Sequence, residues 1–324
     1  MLRVHSRRAA YVLLALLTLV WGFNWIFMKA ALLHAHPLTF NVQRTWLAVA
    51  ALFAVLLARR GRMLPNSWLA VLVTAFFQTT INFGSTIMAV AGGGAGRASV
   101  LVFTMPFWTL LIAWPVLHER VRPLQLVAIL LAVAGLVLTV APWSWHGDLA
   151  PKAWAVLSGF GWAAGTVAVK YFQRDEKLDM LTLITWQMAI GVLPLTFLPW
   201  LFGVPATEWS VTHAVLMFIV GVVATAGGFL AWMEVLRWMP AGTASLNMLA
   251  IPVIALLSSM MVFDERLAGN EWAGIALIGA GLALITALAL AGGRRASLLP
   301  ADPTPRAAAE RARRPAEDQV NANN

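Results

Sequence analysis

The chain has 324 residues, of which 60% are apolar and 11% are charged, whereas about a quarter of the residues are charged in ordinary soluble proteins. The formal net charge is +9, and the absence of cysteine excludes a disulfide framework and any cysteine-ligated metal site. This composition excludes an ordinary soluble domain and is typical of an integral membrane protein, where interfacial tryptophan and helix-packing glycine are both common.

Ten apolar stretches, each about long enough to cross a bilayer as a helix, follow one another along the chain. They cover residues 11–33, 37–58, 67–90, 97–118, 124–142, 151–172, 180–202, 211–236, 241–263 and 270–291. They lack the alternation of strands, and helices satisfy their own backbone hydrogen bonds, as lipid requires. The sequence therefore predicts an all-α integral membrane protein with ten transmembrane helices, followed by a tail, 292–324, that is predicted to be disordered and cytoplasmic.

The basic residues are distributed unevenly between the loops. With the N-terminus inside, the inner segments carry 18 Lys and Arg residues and the outer segments carry three, while Lys29 and Arg44 lie within spans. The positive-inside rule then predicts a multi-pass protein of the inner (cell) membrane with both termini in the cytoplasm. Because the positive charge is explained by topology, the lipid bilayer is the expected partner and nucleic acid is not.

A repeat is visible in the ends of two spans, "VLHERV" at 116–121 and "VFDERL" at 262–267, which are 146 residues apart. An ungapped alignment of 96–138 with 242–284 has 15 identities in 43 positions. Earlier in each half, "WGFNWIFMK" from Trp21 matches "WAAGTVAVK" from Trp162 more weakly. We therefore predict two five-helix halves, 1–146 and 147–291.

Five is an odd number, so the second half is predicted to enter the membrane inverted relative to the first. Inverted repeats are a recurrent architecture of secondary transporters, whose substrate site lies near the midplane between the halves. Two similar gates that face opposite sides of the membrane are what alternating access requires.

The tryptophan-rich first helix of each half, the stretches "GRASVLVFTMPFW" and "GTASLNMLAIPVI", and the Glu–Arg endings resemble the drug/metabolite transporter (DMT) superfamily, specifically its EamA-like ten-helix metabolite exporters. The resemblance extends over essentially the whole chain to about residue 291. It implies two inverted five-helix repeats and the export of small metabolites, often amino acids. It does not imply which metabolite.

Arg44 lies seven residues after Pro37, about 10 Å into its span. A charge near the bilayer centre costs at least ~2.5–3.5 kcal/mol on insertion scales, and such charges usually face the protein interior. We therefore expect Arg44 to bind a carboxylate or another anion. Snorkelling or pairing with backbone carbonyls is the alternative, and an arginine in the second helix also resembles the family's pattern there.

Two pairs of repeated residues are candidates for gating. Pro106 and Pro252 are predicted near the middles of spans four and nine, where proline removes a backbone hydrogen bond and kinks a helix. These kinks either help the gates to bend or are static packing features. Glu119 and Glu265 follow the same two spans, and they are either latches that pair differently in two states or water-facing ends that fix the loops.

Polar and aromatic residues near the predicted midplanes either join helices or line a wet cavity. The predicted substrate-binding set, besides Arg44, is Trp21, Asn24, Gln78, Asn82, Ser99, Trp162, Thr166, Trp186, Gln187 and Asn247. The matched positions of Trp21 and Trp162 favour paired cavity walls. Because no His pair, nucleophile or phosphate-binding pattern is found, the sequence indicates no metal, no cofactor and no catalytic residue.

The predicted function is that of a secondary transporter, not an enzyme, that exports small organic metabolites by alternating access, with amino acids or related compounds as substrates. The nearest alternative is a multidrug exporter of lipophilic cations, which usually requires a buried carboxylate. An intramembrane enzyme and a non-transporting membrane subunit are the further alternatives. Proton coupling and uncoupled exchange both fit the sequence, as do a monomer and a homodimer.

Overall fold

The computed structural model of the chain describes residues 7–60, 62–118, 123–140, 149–174, 177–238 and 250–298. These residues form an all-helical bundle, and they contain no strand, as the sequence predicts. Glu119 and Asn247, two of the predicted functional residues, lie outside the described residues.

The helices are labelled in chain order. They are α1 (Arg7–Ala31), α2 (Pro37–Ala58), α3 (Trp68–Gly93), α4 (Ala95–Leu117), α5 (Pro123–Val140), α6 (Leu149–Phe172), α7 (Met180–Leu201), α8 (211–238), α9 (Ala250–Phe263) and α10 (Gly269–Leu298). Six of them (α1, α2, α3, α4, α7 and α8) are long and apolar enough to cross a membrane, while the described parts of α5 and α9 are apolar but shorter. The chain is a multi-pass membrane protein, and the full count of ten spans stays a prediction.

Helix starts follow from local capping chemistry. Pro37 occupies the first turn of α2, and the His36 ring accepts a hydrogen bond from the Leu38 N–H. Ser67, Asp179 and Ser210 each accept a backbone N–H in the first turn of α3, α7 and α8. The last helix, α10, continues to Leu298, seven residues beyond the predicted span, although Gly292 and Gly293 disfavour helix.

Three helices depart from regular α geometry in ways that hydropathy does not reveal. α3 contains the π-helical segment Ala75–Ile81, and α8 contains the π-helical segment Phe218–Gly227. α4 is interrupted at 103–104 between the segments Ala95–Val102 and Met105–Leu117. π-Helical segments inside α-helices are frequent at functional sites.

The helices pack in reciprocal pairs. α1 packs against α8 and α9, while α6 packs against α3 and α4. α2 packs against the π segment of α8, while α7 packs against the π segment of α3. α5 packs against α10, and α4 packs against α9. The largest apolar core combines residues of α1, α3, α4, α8 and α9 with single residues of α2 and α6, so it lies between the two predicted halves.

Candidate functional site

A cavity opens in the middle of the bundle, between α1, α2, α3, α4, α6, α8 and α9. Water-sized molecules can occupy about 140 Å³ of it, and the void including its open part is about 750 Å³. Its lining is mostly apolar: Trp21, Asn24, Trp25, Met28, Arg44, Asn82, Phe83, Thr86, Val102, Phe103, Met105, Trp162, Ala224, Thr225, Phe229 and Ile251. Five residues of the predicted substrate-binding set therefore share one cavity: Trp21, Asn24, Arg44, Asn82 and Trp162.

Arg44 is the cation in this lining, and its side chain is fixed by neutral groups. Its residue surface is 3% exposed. Nε and Nη2 donate to Asn41 Oδ1 at 3.1 and 2.7 Å, and the guanidinium carbon lies 4.8 Å from the centre of the Phe83 ring. Among the described residues, no carboxylate forms an ion pair with Arg44. The arrangement positions a positive charge at the cavity without neutralising it.

An aromatic row forms another part of the cavity wall. The Phe229 ring lies between Trp21 and Trp162, with centroid separations of 6.4 and 5.9 Å. Trp21 Nε1 donates to the Ala224 carbonyl at 2.9 Å, in the π segment of α8. Gly228 makes this contact possible, because a Cβ at that position would overlap the Trp21 indole. Trp21 is therefore held against α8, the helix that also carries Phe229.

The two asparagines of the lining differ in their bonding. Asn82 Nδ2 donates to the carbonyl and hydroxyl oxygens of Ser158, at 2.9 and 2.8 Å, and Thr86 shares the same hydroxyl at 2.6 Å. Asn24 Oδ1, in contrast, is buried and has no hydrogen-bond donor among the described residues. Asn82 thus joins α3 to α6, while Asn24 brings an unsatisfied acceptor to the wall of the cavity.

Three other residues of the predicted set join helices and do not line the cavity. Gln187 Nε2 donates to Gln78 Oε1 at 3.2 Å, and Gln78 Nε2 donates to Thr166 Oγ1 at 3.2 Å. This chain of polar groups links α7, α3 and α6. The alternative interpretation, helix-joining hydrogen bonds in an apolar bundle, fits Gln78, Thr166 and Gln187 in this structure.

Ser99 and Trp186 also lie away from the cavity lining. The Ser99 hydroxyl donates to the Gly96 carbonyl of its own helix at 2.7 Å. The Trp186 indole donates to the Met63 carbonyl at 2.7 Å and packs edge-on against Phe53 and Trp68. Trp186 is therefore held beside the loop that precedes α3, at one end of the bundle.

The structure places the two predicted gating prolines, Pro106 and Pro252, differently from one another. Pro106 follows the break at 103–104 and occupies the first turn of the second segment of α4, so the helix is interrupted rather than kinked there. Phe103, in this break, and Met105, directly after it, line the cavity. Pro252 lies in the first described turn of α9 and is buried.

Glu265 spans the two predicted halves at the end of the bundle that contains Gly94 and the 264–268 loop, called here the Gly94 end. Its carboxylate accepts the N–H groups of Gly96 and Arg97 at 3.1 and 3.4 Å, and it also accepts the Ser259 hydroxyl. The carboxylate therefore caps the N-terminus of α4, where the helix dipole favours negative charge. Gly94 has φ +84°, and a Cβ there would overlap Glu265.

Further contacts close the Gly94 end. Arg97 forms an ion pair with Glu271 at 2.9 Å and donates to the Arg266 carbonyl. Lys29 donates to the carbonyls of Val90 and Ala91, both at 3.1 Å, at the end of α3. At the opposite end of the bundle, Arg174 donates to the Leu117 carbonyl at 2.6 Å. Among the described residues, no group of three or more His, Asp or Glu side chains is placed to hold a metal ion.

Sequence reasoning missed the phenylalanines of the cavity. Phe83 supports Arg44, and Phe229 joins Trp21 to Trp162, yet a phenylalanine in an apolar helix carries no local signal. The two are 146 residues apart, which is the spacing of the repeat. A search of the third span of each half for matched aromatic residues would have found them.

Comparisons with known proteins agree with one another. The model of the EamA-like transporter family matches twice, over residues 8–141 and 151–287. An uncharacterized transporter of Bacillus subtilis is 27% identical over 277 residues, covering 85% of this chain and 90% of that protein. A probable amino-acid metabolite efflux pump of Salmonella typhimurium is 30% identical over 293 residues (86% and 94% covered), and one of Escherichia coli is 27% identical over 288 residues (84% and 92%).

The fold also matches a crystal structure with a TM-score of 0.62 and 19% sequence identity, covering 88% of this chain and 99% of the other. At this level of identity the likeness concerns the fold alone.

Proposed function

This chain belongs to the EamA-like transporter family, and from that premise we propose that it is a secondary transporter that exports small organic carboxylates, with amino acids or related metabolites as its substrates. The observation that carries the proposal is the central cavity, where Arg44 presents a buried positive charge with no carboxylate partner among the described residues. Relatives named as amino-acid metabolite efflux pumps support the same class.

The energetics of Arg44 favour an anionic substrate. Keeping the charge at mid-membrane costs at least ~2.5–3.5 kcal/mol, and Asn41 and Phe83 compensate part of this cost through neutral contacts. A substrate carboxylate would accept charge-assisted hydrogen bonds, which are stronger than neutral ones and suit the planar guanidinium. The binding of substrate then supplies the negative charge that the protein itself does not place there.

The same charge disfavours the multidrug alternative. A lipophilic cation about 6–8 Å from Arg44 would be repelled by about 2–3 kcal/mol at an effective dielectric constant of ~20. Its attraction to an aromatic face is worth about 0.5–2 kcal/mol. The repulsion between Arg44 and such a cation therefore matches or exceeds its attraction to an aromatic ring. For this reason we propose carboxylates, and not lipophilic cations, as substrates.

We also propose that the chain forms ten spans arranged as two inverted five-helix halves. The reciprocal packing of α1 and α6, and of α2 and α7, supports this arrangement, because each first or second helix packs on the other half's third helix. The presence of a π segment in both α3 and α8 supports it too. His118 and Asp264, which lie 146 residues apart and precede the two repeated glutamates, both have positive φ, at 54° and 48°.

The proposed orientation places the Gly94 end outside the cell and both termini in the cytoplasm of an inner-membrane protein, as the distribution of Lys and Arg indicates. The cysteine-free chain permits a direct test with single cysteines at the exposed positions Lys177 and Glu208. In intact cells, an impermeant maleimide should label Glu208→Cys and not Lys177→Cys, and the reverse pattern would invert the topology.

For gating, we propose that Glu265 latches the outer gate by capping α4 across the two halves, and that the outer contacts of Arg97 and Lys29 reinforce this closed state. The break at 103–104, with Pro106 after it, lets the first segment of α4 move separately from the second. By the repeat, Glu119 is proposed to act at the inner gate. Transport then consists of rocking between two states around the cavity, by alternating access.

Counterflow in proteoliposomes tests the proposed function. Vesicles loaded with one unlabelled amino acid should accumulate the labelled form, and Arg44→Ala should lower the apparent affinity at least about tenfold, because hydrogen bonds to charged groups contribute about 1.5–3 kcal/mol. Lys177→Ala removes an exposed cation and serves as the matched control. Arg44→Lys keeps the charge and provides a second variant if Arg44→Ala does not fold.

Unchanged affinity in a correctly folded Arg44→Ala protein would refute the anion site. Counterflow of lipophilic cations without any amino acid or other carboxylate would establish the multidrug alternative instead.

A further inference from the structure

The aromatic content of the cavity points to the substrate's side chain. Six of the residues in the lining are Trp or Phe, and Met28 and Met105 add two further large apolar side chains. Three of the rings form the continuous row Trp21–Phe229–Trp162. A flat ring stacked against such a row gains edge or face contacts beyond the burial of its area.

Trp21, at one end of the row, is preorganised. It is fixed by its hydrogen bond to the Ala224 carbonyl and by its fit against Gly228, and it also packs at 6.2 Å from Trp232. Because the Trp21 side chain is already ordered, the protein loses little further side-chain entropy there when a substrate packs on it.

The polar groups of the lining are largely committed to the protein. Asn82 and Thr86 bind Ser158, the Thr225 hydroxyl donates to the Val220 carbonyl at 2.7 Å, and Trp21 Nε1 is bonded as described. Arg44 and the Asn24 Oδ1 acceptor are the described groups that match a carboxylate and an ammonium. Apart from the indole N–H groups of Trp25 and Trp162, which can only donate, the lining leaves few partners for a polar substrate side chain, and a buried polar group without a partner costs about 1–3 kcal/mol.

We infer that the preferred substrate is an amino acid with an aromatic or similarly flat apolar side chain, which packs against the Trp21–Phe229–Trp162 row while its carboxylate binds Arg44. This inference rests on the proposed function, and it names Phe229 as a residue that determines specificity. Phe229 connects the two tryptophans, so its replacement interrupts the row at its centre.

Competition in the counterflow assay tests this selectivity. Phenylalanine and tryptophan should inhibit at concentrations at least about tenfold lower than alanine and serine, because burying a large apolar side chain contributes about 1.5–3 kcal/mol. Phe229→Leu keeps an apolar side chain but removes the ring, and it should cut the preference by about two- to tenfold, because inhibition by phenylalanine and tryptophan weakens more than inhibition by alanine. Phe229→Trp, which keeps a ring, should retain the preference.

Phe218→Leu is the matched control, because Phe218 lies on the same helix with an exposed side chain that faces away from the core. Equal inhibition by aromatic and small amino acids in the wild type would overturn the inference while leaving the proposed function standing. An unchanged preference in a folded Phe229→Leu protein would also overturn it. A complete lack of carboxylate transport would refute the proposed function and this inference together.

Discussion

Arg44 is oriented by groups that leave its charge uncompensated. The Asn41 amide oxygen accepts two of its N–H groups, and the Phe83 ring lies under the guanidinium. A carboxylate in the same place would have neutralised the arginine and made it a structural ion pair. Because its neighbours are the neutral Asn41 amide and the Phe83 ring, the Arg44 guanidinium stays available to an anionic group in the cavity.

Gly228 offers a prediction at the scale of single residues. A Cβ at this position would overlap the Trp21 indole, so Gly228→Ala should displace the ring and break its bond to the Ala224 carbonyl. Apparent substrate affinity in counterflow should fall about five- to thirtyfold, as expected for a loss of 1–2 kcal/mol.

Gly279→Ala is the control for this prediction, since Gly279 also lies within a helix and nothing approaches the position of its Cβ. That variant should keep its affinity and gain some thermal stability, because alanine favours helix over glycine by about 1 kcal/mol. Similar behaviour of the two variants would show that the Trp21 position does not depend on Gly228.

At the scale of helices, the π segments of α3 and α8 lie where these helices contact the other predicted half. Each is packed by two helices of the other predicted half, and the α8 segment supplies the carbonyl that binds Trp21. The break in α4 exposes the middle of this helix to the cavity. It separates the first segment, which Glu265 caps, from the second segment, which ends at Leu117. Irregular backbone therefore lies where movement and binding are proposed.

The Glu265 cap gives a prediction about access from outside. Glu265→Ala removes acceptors for two N–H groups at the α4 N-terminus, a loss of about 1–2 kcal/mol that should shift the outer gate towards open by roughly five- to thirtyfold. A cysteine at Met28, an apolar residue of the cavity lining, should then react faster with an impermeant maleimide added from outside.

Asp264→Asn tests whether the effect is specific, because Asp264 is an exposed neighbour on the same loop and asparagine tolerates its positive φ. It should leave the labelling rate unchanged. Equal labelling rates at the introduced cysteine with and without Glu265→Ala would show that Glu265 does not hold the outer gate closed.

The sequence predicted an all-helical membrane protein and part of the cavity lining for identifiable reasons. Polar residues stand out in apolar spans, so Asn24, Arg44 and Asn82 were found. The same signal also selected Gln78 and Gln187, which bond to one another, because sequence does not distinguish helix-joining amides from cavity-lining ones. Phe229 and the π segments carry no signal in hydropathy, since their role arises from packing between distant helices.

The described part of the molecule combines a Gly94 end closed by hydrogen bonds, a central cavity between the two predicted halves, and one buried cation in the cavity lining. Most of its Lys and Arg residues lie outside the predicted spans, where we propose that they set the orientation, whereas Arg44 is the basic residue in the described lining of the cavity. Large apolar surfaces on α1, α5 and α8 face outward, as the bilayer requires. We therefore propose that a few residues recognise the substrate, while the rest of the bundle supports these residues and moves during transport.

The central claim is that the cavity binds a substrate carboxylate. The most direct test compares inhibition by an amino acid with inhibition by the amide of the same amino acid. In wild-type counterflow, the free amino acid should inhibit uptake of its labelled form. The amide keeps the side chain and the ammonium group but lacks the carboxylate. It should therefore inhibit at least about tenfold more weakly. In Arg44→Ala the two compounds should become nearly equal. Equal inhibition by both compounds in the wild type would contradict the account.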